Sequence, residues 1–387
     1  MEEATAHWQV LSSIAILLLE SVGFSFLPSV HLELMRRVDR VVVKLGTGVL
    51  TDARKRPDQV QFAQLVSQVA ALRAAGKQVV IVTSGAVGAG MGVLGYEKRP
   101  GTLAELQACA AVGQSRLMAM YEQLFRHYEL SVAQVLLTHE DLADHPRHLN
   151  ARNTLVTLLK RGVVPIINEN DAVSVTELKF GDNDRLSALV AALLPADLLV
   201  ILTTADGLIQ NYGQPNAKLL PVVAKIDESI EAMAGGTSSA TAVGGMATKI
   251  SAAKICVRSG TPLIIASGRQ FDVLPKLLAG ESLGTLFLPQ THKLPSRKRW
   301  IAFYHQLRGT LILDDGAVVA VRDRGRSLLA PGIVKCDGEF TEGAVVKLAD
   351  SKGREIARGL ARFSAAQIRS GETGRAEVVH RDDLVVL

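Results

Sequence analysis

Residues 40–50 read RVVVKLGTGVL, and this stretch decides the fold. Three consecutive valines without polar alternation describe a strand buried on both faces, the condition of a parallel sheet covered by helices. The same texture returns at 78–83, 131–137, 163–168, 197–202 and 262–266. Between these runs, residues 59–75 carry apolar side chains at helical spacing and stop at Gly76, and residues 185–194 form a second helix ended by Pro195. The alternation predicts an α/β unit, an open and mostly parallel sheet sandwiched by helices.

In such sheets ligands bind beyond the carboxyl ends of the strands, so the loops there carry the chemistry. The first strand ends Lys44-Leu45-Gly46-Thr47-Gly48, a point charge beside two glycines that let backbone approach an anion. The second ends Thr83-Ser84-Gly85-Ala86-Val87-Gly88, a glycine turn opening a helix, where orphan N–H groups favour a carboxylate or phosphate. The fourth runs into Asn168-Glu169-Asn170-Asp171, followed by Gly181-Asp182-Asn183-Asp184-Arg185. Three asparagines and three aspartates within residues 168–184 suit a polar amino acid, with Asp184 also a plausible helix cap. Gly244-Gly245-Met246-Ala247-Thr248-Lys249 opens a further helix with a lysine one turn in, a second phosphate clamp. No G-x-x-x-x-G-K-[ST] occurs, and the G-x-G-x-x-G match at 90–95 starts too far after its strand to read as a dinucleotide loop.

The chain has 387 residues, 48% apolar and 21% charged, with a net charge of +5 that compels no nucleic-acid partner. Three distant cysteines, Cys109, Cys256 and Cys336, exclude a disulfide framework and a zinc ribbon and fit a reducing cytoplasm. His145 and His148 lack an accompanying carboxylate set, so no metal site is expected there. Residues 1–37 read as an apolar extension. Within it, Glu20 and the acidic start (Glu2, Glu3) argue against an anchor or a signal peptide, and no firm membrane partner is expected. Residues 38–293 form the α/β unit, and a basic, proline-containing linker leads to residues 297–387. That tail has strand-like runs at 310–313, 317–321, 345–348 and 377–379, as in a small β-rich domain; its 16 basic and 12 acidic residues hold +4 of the net charge.

In this order and spacing, VVVKLGTGVL, IVTSGAVGAG, INENDAV, KFGDNDRLSALVA and GGMATK resemble the glutamate 5-kinases, a branch of the amino-acid kinase family, over about residues 38–290. The tail, with RGRSLLAPGI and HRDDL, resembles the PUA domain. The resemblance implies transfer of the γ-phosphoryl group of ATP, with Mg²⁺, to the side-chain carboxylate of L-glutamate, opening proline biosynthesis. It implies proline as feedback inhibitor, a homo-oligomer, and RNA as an optional partner of the tail. Carried over by position, Lys44 and Lys249 hold the transferring phosphoryl and Asp184 orients them. Ser84, Asp171 and Asn183, with Asn168 and Asp182, fall at the glutamate site; Gly46, Thr203, Thr204, Gly244, Gly245 and Met246 join the two lysines at the ATP site. The glycines at 46, 48, 85, 244 and 245 are expected to supply backbone donors. Two segments depart from the family pattern: Thr204 stands where an aspartate is usual, and Ala242-Val243 stands where the family has Gly-Thr, removing a glycine and a hydroxyl near the phosphates.

Rival readings are a kinase of the same fold acting on aspartate, N-acetylglutamate or a nucleoside monophosphate, an RNA-binding protein working through the tail, and a dinucleotide-dependent oxidoreductase. The paired NENDAV and FGDND segments disfavour the first. The tail's few aromatic residues disfavour the second, and the third lacks the acidic residue that would follow its second strand.

Overall fold

The computed structural model describes residues 27–52, 56–173, 183–235, 245–289, 294–304 and 307–386. The chain divides into two compact units between Lys293 and Leu294. In the first, the strands β1 (Arg40–Leu45), β2 (Gln78–Val82), β3 (Val132–Leu137), β4 (Val164–Glu169), β5 (Leu198–Thr203), β6 (Val222–Val223), β7 (Leu263–Ser267) and β8 (Thr285–Phe287) form one sheet in the order β3-β4-β2-β1-β5-β7-β8-β6. All neighbours run parallel except β7 and β8.

The valine run explains the centre of this sheet. Val41, Val42 and Val43 are fully buried, in register with Val79–Ile81 on one side and Leu198–Val200 on the other. Strand order reverses at β1: β2 and β4 lie to one side, β5 and β7 to the other. The carboxyl ends of β1, β2, β4 and β5 therefore converge at a topological switch point.

The helices that carry the site are α1 (Leu27–Met35), α2 (Gln59–Ala74), α3 (Ala86–Leu94), α4 (Leu103–Arg126), α5 (His145–Lys160), α6 (Asn183–Leu193) and α7 (Met246–Ser259). Every α6 residue from Leu186 to Leu193 is buried, as its apolar circumference requires. Asp58 caps α2 by accepting from Gln61 N–H, and a Thr102–Glu105 capping box starts α4.

Helices α3 and α4 cross through bare backbone. A methyl on Gly90 would lie 1.8 Å from the Cys109 carbonyl oxygen, and one on Gly113 would lie 1.7 Å from that of Ala86. Gly90 of the G-x-G-x-x-G match thus serves helix packing.

Three expectations change. Residues 317–321, expected as a strand, lie in a helix, Asp315–Arg322. Asp314 caps it by accepting from Ala317 N–H, and buried Val318 and Val321 share one face while Val319 points outward. Branched residues there follow helical rather than strand spacing. Residues Leu27–Met35, grouped by sequence with the extension, form α1, whose His31 and Met35 are buried and whose Val30 and Leu34 pack on the main core. Residues 1–26 lie outside the described residues. Asp184, read as a cap, sits inside the first turn of α6.

The second unit holds a five-stranded sheet in the order 333–338, 309–313, 345–349, 355–360, 384–386. Its separate core includes Leu311, Val321, Leu348 and Val378. No helix among the described residues is long and apolar enough to cross a membrane.

Candidate active site

Lys44, next to last in β1, extends its ammonium Nζ to 2.6 Å from Asp184 Oδ1. From the other side Lys249, in the first turn of α7, places Nζ 3.1 Å from Asp184 Oδ2, and Thr248 donates its hydroxyl to the same oxygen at 2.7 Å. The three ionic side chains are almost fully enclosed, with residue exposures of 5%, 0% and 4% for Lys44, Asp184 and Lys249. Burial alone would push the Asp184 carboxyl up; Lys44 and Lys249 overturn this and hold it below the usual carboxylate range. The Lys249 ammonium is pushed down by burial and by Lys44, with Asp184 opposing. Two lysines against one aspartate leave an enclosed excess of one positive charge. An anion is its natural complement.

Beside this cluster lies a neutral one. Asn183 directs its Nδ2 toward the Thr83 carbonyl at 3.0 Å, Ser84 Oγ at 3.1 Å and Asn168 Oδ1 at 3.1 Å. Asn168, only 1% exposed, donates in turn to Gln114 Oε1 at 2.9 Å. Thr83 and Ser84 follow β2, and Gly85, at φ 98°, makes the left-handed turn into α3 that no side chain favours. Asp171, half-buried after β4, has its carboxyl pushed up to about 6 by burial, against the pull of the Arg99 guanidinium.

Gly46 does not offer its N–H, which bonds to the Leu202 carbonyl at 3.0 Å; this glycine permits close approach, since a methyl there would meet the same oxygen at 3.2 Å. Thr203 ends β5, and its carbonyl accepts from Gly268 N–H at 2.8 Å. Thr204 is exposed, its methyl 3.0 Å from where a Gly48 side chain would begin. Gly245 caps α7 and Met246 opens it, half-buried. Asp182, Gly244 and Val243 lie outside the described residues.

The sequence model of the amino acid kinase family matches residues 39–267, and that of the PUA domain matches residues 309–382. The glutamate 5-kinase of Moorella thermoacetica is 48% identical over 363 residues, covering 90% of this chain and 96% of its own. Those of Methylococcus capsulatus and Ralstonia nicotianae are 46% and 48% identical, each over 90% of this chain and 97% of their own. The chain belongs to the amino acid kinase family, in its glutamate 5-kinase branch.

Within this amino acid kinase the fold brings together Lys44, Asp184 and Lys249 as one cluster and Ser84, Asn168 and Asn183 as another. Sequence reading missed Thr248 on Asp184, Arg99 beside Asp171, and Gln114 and Tyr121 beneath the amides; the Tyr121 hydroxyl lies 2.7 Å from Thr83 Oγ1. A signal for Gln114 existed: it is a lone amide among the buried α4 residues Cys109, Ala110, Gly113, Leu117 and Tyr121. His148 is buried in α5 with Nδ1 3.2 Å from the Leu142 carbonyl, and among the described residues no acidic, histidine or cysteine group converges as a metal site.

Proposed function

We propose that this cleft transfers the γ-phosphoryl group of ATP to the side-chain carboxylate of L-glutamate, giving glutamyl 5-phosphate and ADP, the first step of proline biosynthesis. The observation that carries the reading is the Lys44–Asp184–Lys249 cluster with its unbalanced positive charge. Phosphoryl transfer needs positioned charge more than covalent chemistry, because negative charge spreads over the equatorial oxygens of the transferring group. One lysine at about 4 Å in an effective dielectric near 20 interacts by roughly 4 kcal/mol. Half of that, realised only in the transition state, is worth about thirtyfold in rate.

In this reading Lys44 and Lys249 hold the phosphoryl group from two sides while Asp184 fixes both ammonium groups. The carboxylate oxygen of glutamate attacks phosphorus as the bond to the β-phosphate oxygen breaks. Ser84, Asn168 and Asn183 orient the acceptor, and Asp171, with Asp182, accepts from its ammonium. Thr203, Thr204, Gly244, Gly245 and Met246 border the nucleotide. The buried carboxylate of the cleft, Asp184, is already held by two lysines, so the described donor set does not fit a protein-held metal; Mg²⁺ belongs to the ATP phosphates in this reading. Cytoplasmic location, self-association, RNA as a partner of the PUA domain and inhibition by proline complete it.

The test is ADP release and hydroxylamine trapping by the full chain with Mg-ATP and L-glutamate, N-acetylglutamate, L-aspartate or UMP. A glutamate-dependent hydroxamate that falls at millimolar proline is expected. Signal with another acceptor alone would overturn the substrate assignment.

A further inference from the structure

The amides beneath the acceptor site form a directed chain, and two backbone groups fix its direction. The Thr83 carbonyl accepts from Asn183 Nδ2, and the Glu169 N–H donates to Asn168 Oδ1 at 3.0 Å. Backbone polarity cannot flip, so Asn183 turns its nitrogen toward the Asn168 oxygen, and Asn168 turns its nitrogen toward Gln114. Gln114 must present Oε1 to it and direct Nε2 onward. That Nε2 is sealed from solvent and has no partner among the described residues, nor has Asn183 Oδ1 at the opposite end.

A buried amide donor without a partner costs about 1–3 kcal/mol, and a methionine or leucine of similar volume would avoid it. Stability therefore does not explain the amide at 114, which is 7% exposed on an otherwise apolar helix face. Its Oε1 does one thing the alternatives cannot: it holds Asn168 Nδ2, and so sets the angle at which Asn168 steers Asn183 and Ser84.

We infer that Gln114 is a positioning residue of the acceptor site, acting through Asn168 to fix the amide relay that orients the amino-acid substrate. The inference rests on the acceptor reading above. It separates the cleft into a nucleotide half insensitive to α4 and an acceptor half tuned by it.

The experiment is a double-mutant cycle on the full chain with Gln114→Met and Asn168→Ala, reading KM for L-glutamate, KM for ATP and kcat by hydroxamate formation, with thermal midpoints alongside. Gln114→Met is expected to raise KM for glutamate about tenfold, the effect of one lost hydrogen bond, with KM for ATP and kcat within about twofold and the thermal midpoint unchanged or raised. In the Asn168→Ala background the same change is expected to add nothing. Additive effects, an unchanged KM for glutamate, or equal shifts in both Michaelis constants would overturn the inference. Gln114→Leu provides a second apolar variant, and failure of both to fold would show a structural role and overturn it too. An unmodified chain inactive toward glutamate sinks the functional reading, and this inference with it. An active chain with additive variants sinks this inference alone.

Discussion

The two halves of the cleft handle buried polarity in opposite ways. In the charged half, Asp184 takes Lys44 on one oxygen and Lys249 with Thr248 on the other, so the carboxylate is fully engaged before any ligand arrives. In the amide half, the relay from Thr83 to Gln114 ends with one donor and one acceptor unmatched among the described residues. The difference follows from cost. An uncompensated buried charge is several times more expensive than an unpaired amide, so charges must be preorganised by the protein itself, whereas amides can wait.

The largest effect should come from breaking the charged half. Asp184→Ala leaves Lys44 and Lys249 enclosed without a counter-charge, at a cost of about 3–5 kcal/mol in stability. Turnover should fall at least about a hundredfold, since both ammonium groups lose their anchor; Lys44→Ala or Lys249→Ala alone should lose about thirtyfold. Nucleotide phosphates would replace part of the missing negative charge. Thermal scans should therefore show ATP raising the midpoint of Asp184→Ala more than that of the unmodified chain. An equal ATP shift in both proteins would show that the lysines do not face the phosphates.

A smaller effect sharpens the amide half. Gly113→Ala drives a methyl into the Ala86 carbonyl, a backbone atom that cannot yield as a side-chain tip would, so α3 and α4 must part. Overpacking of this kind costs about 1–3 kcal/mol or more. Because Gln114 follows Gly113 and Ala86 follows the Ser84–Gly85 turn, KM for glutamate should rise several-fold while KM for ATP stays put. Parallel changes in both constants would argue that the helix crossing serves only the fold.

What the sequence disclosed divides along the same line. Strands β1, β2, β4 and β5 were legible because burial on both faces writes continuous Val, Ile and Leu runs. Lys44, Asp184 and Lys249 were legible as members of glycine-rich or acidic loop motifs. That one carboxylate serves both lysines was implied by the family resemblance alone and by no local pattern, because it depends on α6 and α7 meeting at β1, a long-range fact. Gln114 stayed hidden because one amide on a buried helix face has no local pattern, and its importance lies in what it touches. Residues 317–321 misled because a branched apolar run suits a strand until the Asp314 cap is weighed.

The smallest effect tests Asp171, in the turn after β4. Burial raises its carboxyl from 3.8 to about 6, so between those values the folded chain binds more proton than the unfolded one. Folding stability must then fall as pH rises through this window, with the full penalty present above about 6. The displacement corresponds to at most about 3 kcal/mol, and solvent reaching this half-buried carboxyl reduces it to about 1. Asp171→Asn should thus raise the thermal midpoint at pH 8 and leave it unchanged at pH 4. Activity should move the other way: kcat/KM for glutamate in the unmodified chain should rise with pH through about 6, as the carboxylate becomes able to accept from the substrate ammonium. Arg99 opposes the burial, so Arg99→Leu should shift that acid limb to higher pH. A limb indifferent to Arg99, or a midpoint lowered in Asp171→Asn at pH 8, would mean that Asp171 is held for the fold and not for the acceptor.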